Sequence, residues 1–224
     1  MLTPDRGTHP GRLASIGIAA AVIASLAPGS ALADGLSSSQ VNELESGKVV
    51  MVKLDEGGGK GYIGGSSYAL MDEDIEKAWN AIQDAKLFPK LYPTTLESKV
   101  VSKKDNKFTV KMVQGNAVVK ATYYLNYEAE PDVHKLSWKL NKAKPHDIAD
   151  SRGNIQFDEW KDGRTFMKMS CIVDIGNDVL EKMFGDEIAM GLLRMPMKLR
   201  KFLKKSVASK YAAPPPDPAG ADAG

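Results

Sequence analysis

Few residues in this chain have the type and spacing that covalent chemistry needs. Downstream of residue 33 there are two histidines, His134 and His146. Neither has a second histidine or cysteine three or four residues on, so the spacing builds no zinc site. A histidine base also needs a positioned nucleophile, and no Gly-x-Ser-x-Gly elbow is present. The run Gly57-Gly58-Gly59-Lys60-Gly61 has the glycines of a phosphate loop. Its lysine is followed by glycine instead of Ser or Thr, and no helix pattern begins there, so it reads as a hairpin turn. Cys171 is the only cysteine, which rules out an internal disulfide. It alternates with Met169 and Val173 on a strand and reads as a buried structural thiol. The remaining candidates for acid–base work are Tyr123, Tyr127 and Asp158. No metal or cofactor is expected.

A second kind of chemistry is the holding of an apolar molecule. Such a site is lined by aliphatic and aromatic side chains with a few polar anchors. On strand patterns the candidates are Phe108, Met112, Tyr123, Leu125, Tyr127, Trp138, Met167 and Met169; on a helical stripe they are Leu180, Phe184, Ile188 and Leu192. Phe88, Leu91 and Tyr92 are expected at the mouth. Met183, Met190, Met195 and Met197 suit an adaptable wall. The same pattern also builds a solid core, and the residues alone leave both readings open. A third feature is electrostatic. No acid lies between Glu187 and Asp217, while Arg194, Lys198, Lys201 and Lys205 fall on one side of a helix with Arg200, Lys204 and Lys210 nearby. That side resembles a surface for anionic lipid; it is also what a solvated helix C-terminus looks like.

The elements that must carry these residues follow from periodicity. Leu36 to Ser46 reads as a short helix capped by Ser38 or Ser39 and closed by Gly47. Lys48 to Leu54 and Tyr62 to Met71 read as strands, with Gly64-Gly65 marking a bulge or bend. Asp72 is the expected cap of a helix whose apolar face is Ile75, Ala78, Trp79 and Ile82, stopped by Pro89 and Pro93. Six more strands follow: 96–103, 108–114, 117–130, 135–141, 153–160 and 165–175. Phe108, Val110 and Met112 alternate on one, Val119 to Tyr127 on another, and Met167 to Val173 on a third. Lys111, Lys120, Glu128, Lys168 and Ser170 fall opposite them. The sheet is therefore expected to be antiparallel with one dry face. A helix from Asp178 to about residue 208, about 45 Å long and kinked at Pro196, is expected to cover that face. The fold class is α+β.

The 224 residues, 43% hydrophobic and 26% charged, suit one globular domain. With 30 basic and 28 acidic side chains there is no global field to gather nucleic acid. Arg6 and Arg12, the apolar run Leu13 to Leu26, and Ala31-Leu32-Ala33 have the order of an export signal. The expected layout is a signal peptide at 1–33, a short N-terminal helix at 34–47, a ligand-binding domain at 48–208 and a disordered tail at 209–224. The mature protein is expected to be periplasmic or secreted, and monomeric.

The segment Trp79-Asn80-Ala81-Ile82-Gln83-Asp84 followed by Phe88-Pro89, Leu91 and Pro93 resembles the first helix of the START-like (SRPBCC, helix-grip) superfamily, in its polyketide cyclase and coenzyme Q–binding branch. The lead-in Leu36 to Gly47 with Val49-Val50, the strand at Gly153 and the turn Asp162-Gly163-Arg164-Thr165 match as well. Glu73-Asp74-Ile75 replaces the family's Ala-Pro-Pro, and Ile155 stands where a Trp is common. The resemblance covers about residues 36 to 207. It implies a curved antiparallel sheet wrapped around a long C-terminal helix. Between them it implies a cavity for a lipid, sterol, quinone or polyketide-like molecule. Some members carry such molecules and a few assist cyclisation or dehydration.

Overall fold

The computed structural model describes residues 35–54, 61–92, 94–116 and 119–211, with side chains to residue 206. The expected signal peptide, most of the Gly57–Gly61 turn and the end of the tail lie outside these residues.

The first helix, α1 (Ser38–Glu45), is capped by Ser37. Its hydroxyl accepts from the Gln40 amide, and the Gln40 side chain accepts from the Ser37 amide. The expected caps Ser38 and Ser39 lie inside the helix, because only Ser37 stands three residues before Gln40. The strands β1 (Val50–Lys53) and β2 (Tyr62–Met71) follow, then α2 (Ile75–Gln83), a short 3-10 turn (Ala85–Leu87) and α3 (Phe88–Leu91). The cap of α2 is Asp74, whose carboxylate accepts from the Glu76 and Lys77 amides. Asp72 does not serve because β2 runs to Met71, leaving Asp72-Glu73 as the connecting turn.

Then come β3 (Thr95–Lys104), β4 (Lys107–Gly115), β5 (Lys120–Glu130), β6 (Lys135–Leu140), β7 (Asp150–Glu159) and β8 (Thr165–Asp174). All pairings are antiparallel, in the order β1-β2-β8-β7-β6-β5-β4-β3. All eight expected strands are present. In β2, Gly64 and Gly65 hold φ of +131° and +145°, and a Cβ on either would lie 2.1 Å from a neighbouring carbonyl oxygen. The pairing of β2 with β8 stays in register through them, so they contort the strand without a bulge.

The expected single terminal helix is two: α4 (Asp178–Leu193), capped by Asn177, and α5 (Met195–Tyr211). Arg194 forms the break, two residues before Pro196. Proline lacks the amide that a continuous helix needs and crowds the carbonyl four residues back, at Leu192.

The buried face of α4 also differs from expectation. Gly185, Ala189 and Leu193 are buried; Leu180, Ile188 and Leu192 are half-buried and Phe184 is 43% exposed. The small residues let α4 approach β2 closely: a Cβ on Gly185 would sit 3.4 Å from Ile63 Cγ2. Of the expected stripe, which runs on through Leu199 and Leu203, those two enter the main core together with Met195, while Leu180, Phe184 and Ile188 do not.

Candidate functional site

The dry face is built by register. Phe108 pairs with Tyr127 and Met112 with Tyr123 across β4 and β5, Tyr127 pairs with Trp138 across β5 and β6, and Trp138 pairs with Gly153 across β6 and β7. Next along the sheet, Gly153 pairs with Cys171 and Ile155 with Met169. Apart from Gly153, these residues belong with Leu125 and Met167 to one buried cluster. Gly153 serves Trp138 sterically: a Cβ there would stand 2.3 Å from the indole Cζ2 and 2.4 Å from the Ser170 carbonyl oxygen.

The short α3 seats its side chains on this face. Phe88 and Leu91 are fully buried and Tyr92 nearly so, so the expected position at the mouth is corrected: they are core residues. The Phe88 ring lies 5.3 Å from Tyr92 and 5.7 Å from Tyr127, and Tyr127 stacks on Phe108 at 5.0 Å. Trp138 continues the row, 6.0 Å from Tyr127. Contacts of this kind contribute beyond simple area burial. Of the expected lining residues, the structure brings together all those on the sheet and on α3. Leu192 packs at the border of the cluster. Leu180, Phe184 and Ile188 stand apart from it.

Polar atoms are sparse inside. The Tyr123 hydroxyl donates to Gln114 Oε1 at 2.6 Å, and Gln114 Nε2 donates to Thr95 Oγ1 at 3.0 Å. No hydrogen bond joins the Tyr92 or Tyr127 hydroxyl to a described residue, and neither is sealed from solvent as the Ser67 hydroxyl is. Burial pushes the ionisation of Tyr92, Tyr123 and Tyr127 upward, and the nearby Cys171 thiol raises each further. Burial pushes the Cys171 thiol itself up to about 12. At neutral pH all four groups are protonated. They can donate hydrogen bonds; they do not serve as bases or nucleophiles.

Sequence reading missed two contributors. Ser67 is fully buried on the inner side of β2, across from Met169, and its hydroxyl has no partner. Gln114 anchors Tyr123. The alternation Gly65-Ser67-Ala69-Met71 was the available signal for the first; nothing short of the β4–β5 register gives the second. Asp158 is not part of the interior, because its carboxylate pairs with Lys168 at 2.7 Å on the outer face.

Two open hollows, of about 660 and 450 Å³, lie at the β3–β6 ends of the strands. The smaller is bordered by Phe108, Tyr127 and Trp138 together with Lys103, Lys107, Glu128 and Lys139. Neither is lined by a residue of α3, α4 or α5. Arg194, Lys198, Lys201 and Lys205 are all exposed along α5 and its start.

No family model and no curated protein matches the chain. Solved structures do. A protein from Thermus thermophilus superposes with a TM-score of 0.53 at 11% identity, covering 66% of this chain and 98% of that one. The Zhui aromatase/cyclase from a Streptomyces gives 0.52 at 9%, covering 66% and 94%. A START superfamily protein from Mycobacterium smegmatis gives 0.52 at 10%, covering 63% and 97%. An eight-stranded antiparallel sheet gripping C-terminal helices is the START-like helix-grip fold, and this chain has it. The expected fold class and resemblance are borne out at that level.

Proposed function

We propose that this protein holds an apolar molecule bearing a hydrogen-bond-accepting oxygen, seated on the inner face of the sheet among Tyr92, Tyr127 and Cys171. The observation that carries this reading is the fully buried Ser67 hydroxyl on the inner face of β2, which has no protein partner. A polar group withdrawn from water and left unpaired costs about 1–3 kcal/mol. Native proteins keep few such groups, and those few call for a partner outside the chain. The Tyr92 and Tyr127 hydroxyls, in the same buried cluster, are further donors for such an oxygen. The aromatic row supplies the apolar walls.

The ligand class follows from the lining. Phenols and a thiol that stay protonated favour a carbonyl or hydroxyl oxygen over a cation. A lipid, sterol, quinone or polyketide-like molecule fits, and the fold shared with the Zhui aromatase/cyclase is consistent with the last. Holding is favoured over cyclase or dehydratase chemistry because the buried titratable groups Tyr92, Tyr123, Tyr127 and Cys171 all keep their protons at neutral pH. Export belongs to the same proposal: cleavage after Ala33 delivers a carrier to the periplasm or the medium. N-terminal sequencing of the protein from its own cell envelope should begin at Asp34.

The binding test is direct. Protein purified from its native source is extracted with organic solvent, and the extract is read by mass spectrometry. In parallel, the emptied protein is titrated with a fluorescent fatty acid, a fluorescent sterol and a quinone. A stoichiometric extracted molecule, or saturable binding of one probe, is expected. An empty extract together with no saturable binding overturns the proposal.

A further inference from the structure

We infer that the outer face of α5 is a docking surface for anionic phospholipid bilayers. The helix is divided by side. Met195, Leu199 and Leu203 are 0%, 0% and 5% exposed and belong to the core. Arg194, Lys198, Lys201 and Lys205 follow at spacings of four, three and four residues on the opposite side, with Met197 next to Lys198, and all are exposed. Met197 keeps 47% of its surface in the open amid these cations.

The cations are free to act outward. Lys204 pairs with Asp72 at 3.5 Å, and Arg200 donates to the Gly47 carbonyl at 2.7 Å. Arg194, Lys198, Lys201 and Lys205 make no ion pair among the described residues. No acid lies within α5, although the whole chain is nearly neutral. A local surface this one-sided, in a molecule with no net field, selects a planar array of anions.

Lipid is favoured over other polyanions by the apolar element. Met197 sits where a helix lying flat on a bilayer would seat a side chain at the acyl boundary, with lysine stems on either side. The exposed Val179, Met183 and Phe184 of α4 are a poorer candidate. Asp178, Glu181, Asp186 and Glu187 surround them, and anionic headgroups would repel these carboxylates. Docking through α5 needs no unpacking, since its inner side stays in the core.

The test is flotation of the full-length mature protein with vesicles of phosphatidylcholine alone or enriched in phosphatidylglycerol. Binding to the second and not the first is expected, with weakening as salt shortens the screening length to about 8 Å at physiological strength. Each basic residue at such a surface is worth about a five-fold change in partitioning, so the triple variant Lys198→Gln, Lys201→Gln and Lys205→Gln should lose roughly a hundred-fold. The control triple Lys99→Gln, Lys103→Gln and Lys139→Gln removes the same charge from exposed sheet positions and should lose little. Thermal melts of both triples confirm folding. Equal binding to both vesicle types, or equal loss in both triples, overturns the inference. So does binding of duplex DNA through the same lysines without vesicle binding.

Discussion

Replacing the interior tyrosines one at a time by phenylalanine separates hydroxyls that serve the fold from hydroxyls that await a guest. Tyr123 donates a 2.6 Å hydrogen bond to Gln114, which is itself tied to Thr95. Tyr123→Phe removes that bond, worth about 0.5–1.5 kcal/mol, and leaves the Gln114 oxygen unpaired at a further cost of about 1–3 kcal/mol. A loss of about 2–3 kcal/mol is expected. Tyr92 and Tyr127 have no such bond, so Tyr92→Phe and Tyr127→Phe should leave stability unchanged or raise it by up to about 1 kcal/mol. Urea unfolding followed by tryptophan fluorescence reads both effects. In heat, each kcal/mol appears as roughly 2–4 °C in Tm for a chain of this size. The same two variants should weaken the binding of whichever probe the protein holds by about two- to ten-fold, the value of one hydrogen bond. A loss of stability above about 1 kcal/mol in Tyr92→Phe or Tyr127→Phe would refute the reasoning. It would mean those hydroxyls are already satisfied within the protein.

Four further outcomes follow from particular contacts. Gly153→Ala places a methyl 2.3 Å from the Trp138 ring and 2.4 Å from a backbone oxygen that cannot rotate away, so a loss of about 2–3 kcal/mol in urea unfolding is expected. Gly163→Ala, at φ +84° with open space around it, should lose only the left-handed penalty of about 1–2 kcal/mol. At alkaline pH, Cys171 is held neutral in the fold, with its ionisation raised to about 12. The stability this contributes is complete below about pH 8.5, where the unfolded thiol begins to ionise. It is lost as pH rises toward 12, and the buried tyrosines add to the loss above about pH 10. Urea midpoints from neutral to strongly alkaline pH should fall along that course, and the native thiol should react with a disulfide reagent only as slowly as the protein opens. Phe88→Ala should lose about 3–5 kcal/mol of stability yet bind an apolar probe more tightly, because the ring it removes occupies the inner face.

How much of this was readable in the sequence depends on which residues announce themselves. The dry faces of β4, β5 and β8 were legible because Phe108, Val110, Met112, Tyr123, Leu125, Tyr127, Met167 and Met169 alternate with charged or polar neighbours at the strand period. The face of α4 was not. Periodicity weighs bulk, and Leu180, Phe184 and Ile188 outweigh Gly185 and Ala189. Close approach to the glycine-bearing β2 reverses that order, because the helix settles where its side chains are smallest. The break at Arg194 was legible from Pro196 within two residues. The true depth of Phe88, Leu91 and Tyr92 was not, since a four-residue helix carries no period of its own. Its place between β3 and α5 is set by tertiary contact.

That depth bears on how a guest would enter. The sheet's inner face is covered by α3 as well as by α5, and Phe88 and Leu91 have no exposed surface. A molecule placed against Tyr127 from the α3 side would displace aromatic contacts at 5–6 Å spacing before it gained its own. The displaced element is short and weakly self-supporting: α3 has four residues, no side-chain cap at its start, and a proline in its first turn. A helix that short has no stability apart from its packing, so exchanging its contacts for those of a guest disturbs little else. The Tyr92 hydroxyl stands at the end of the same segment. A group proposed to recognise the guest is thus carried on the piece of chain that would admit it from this side.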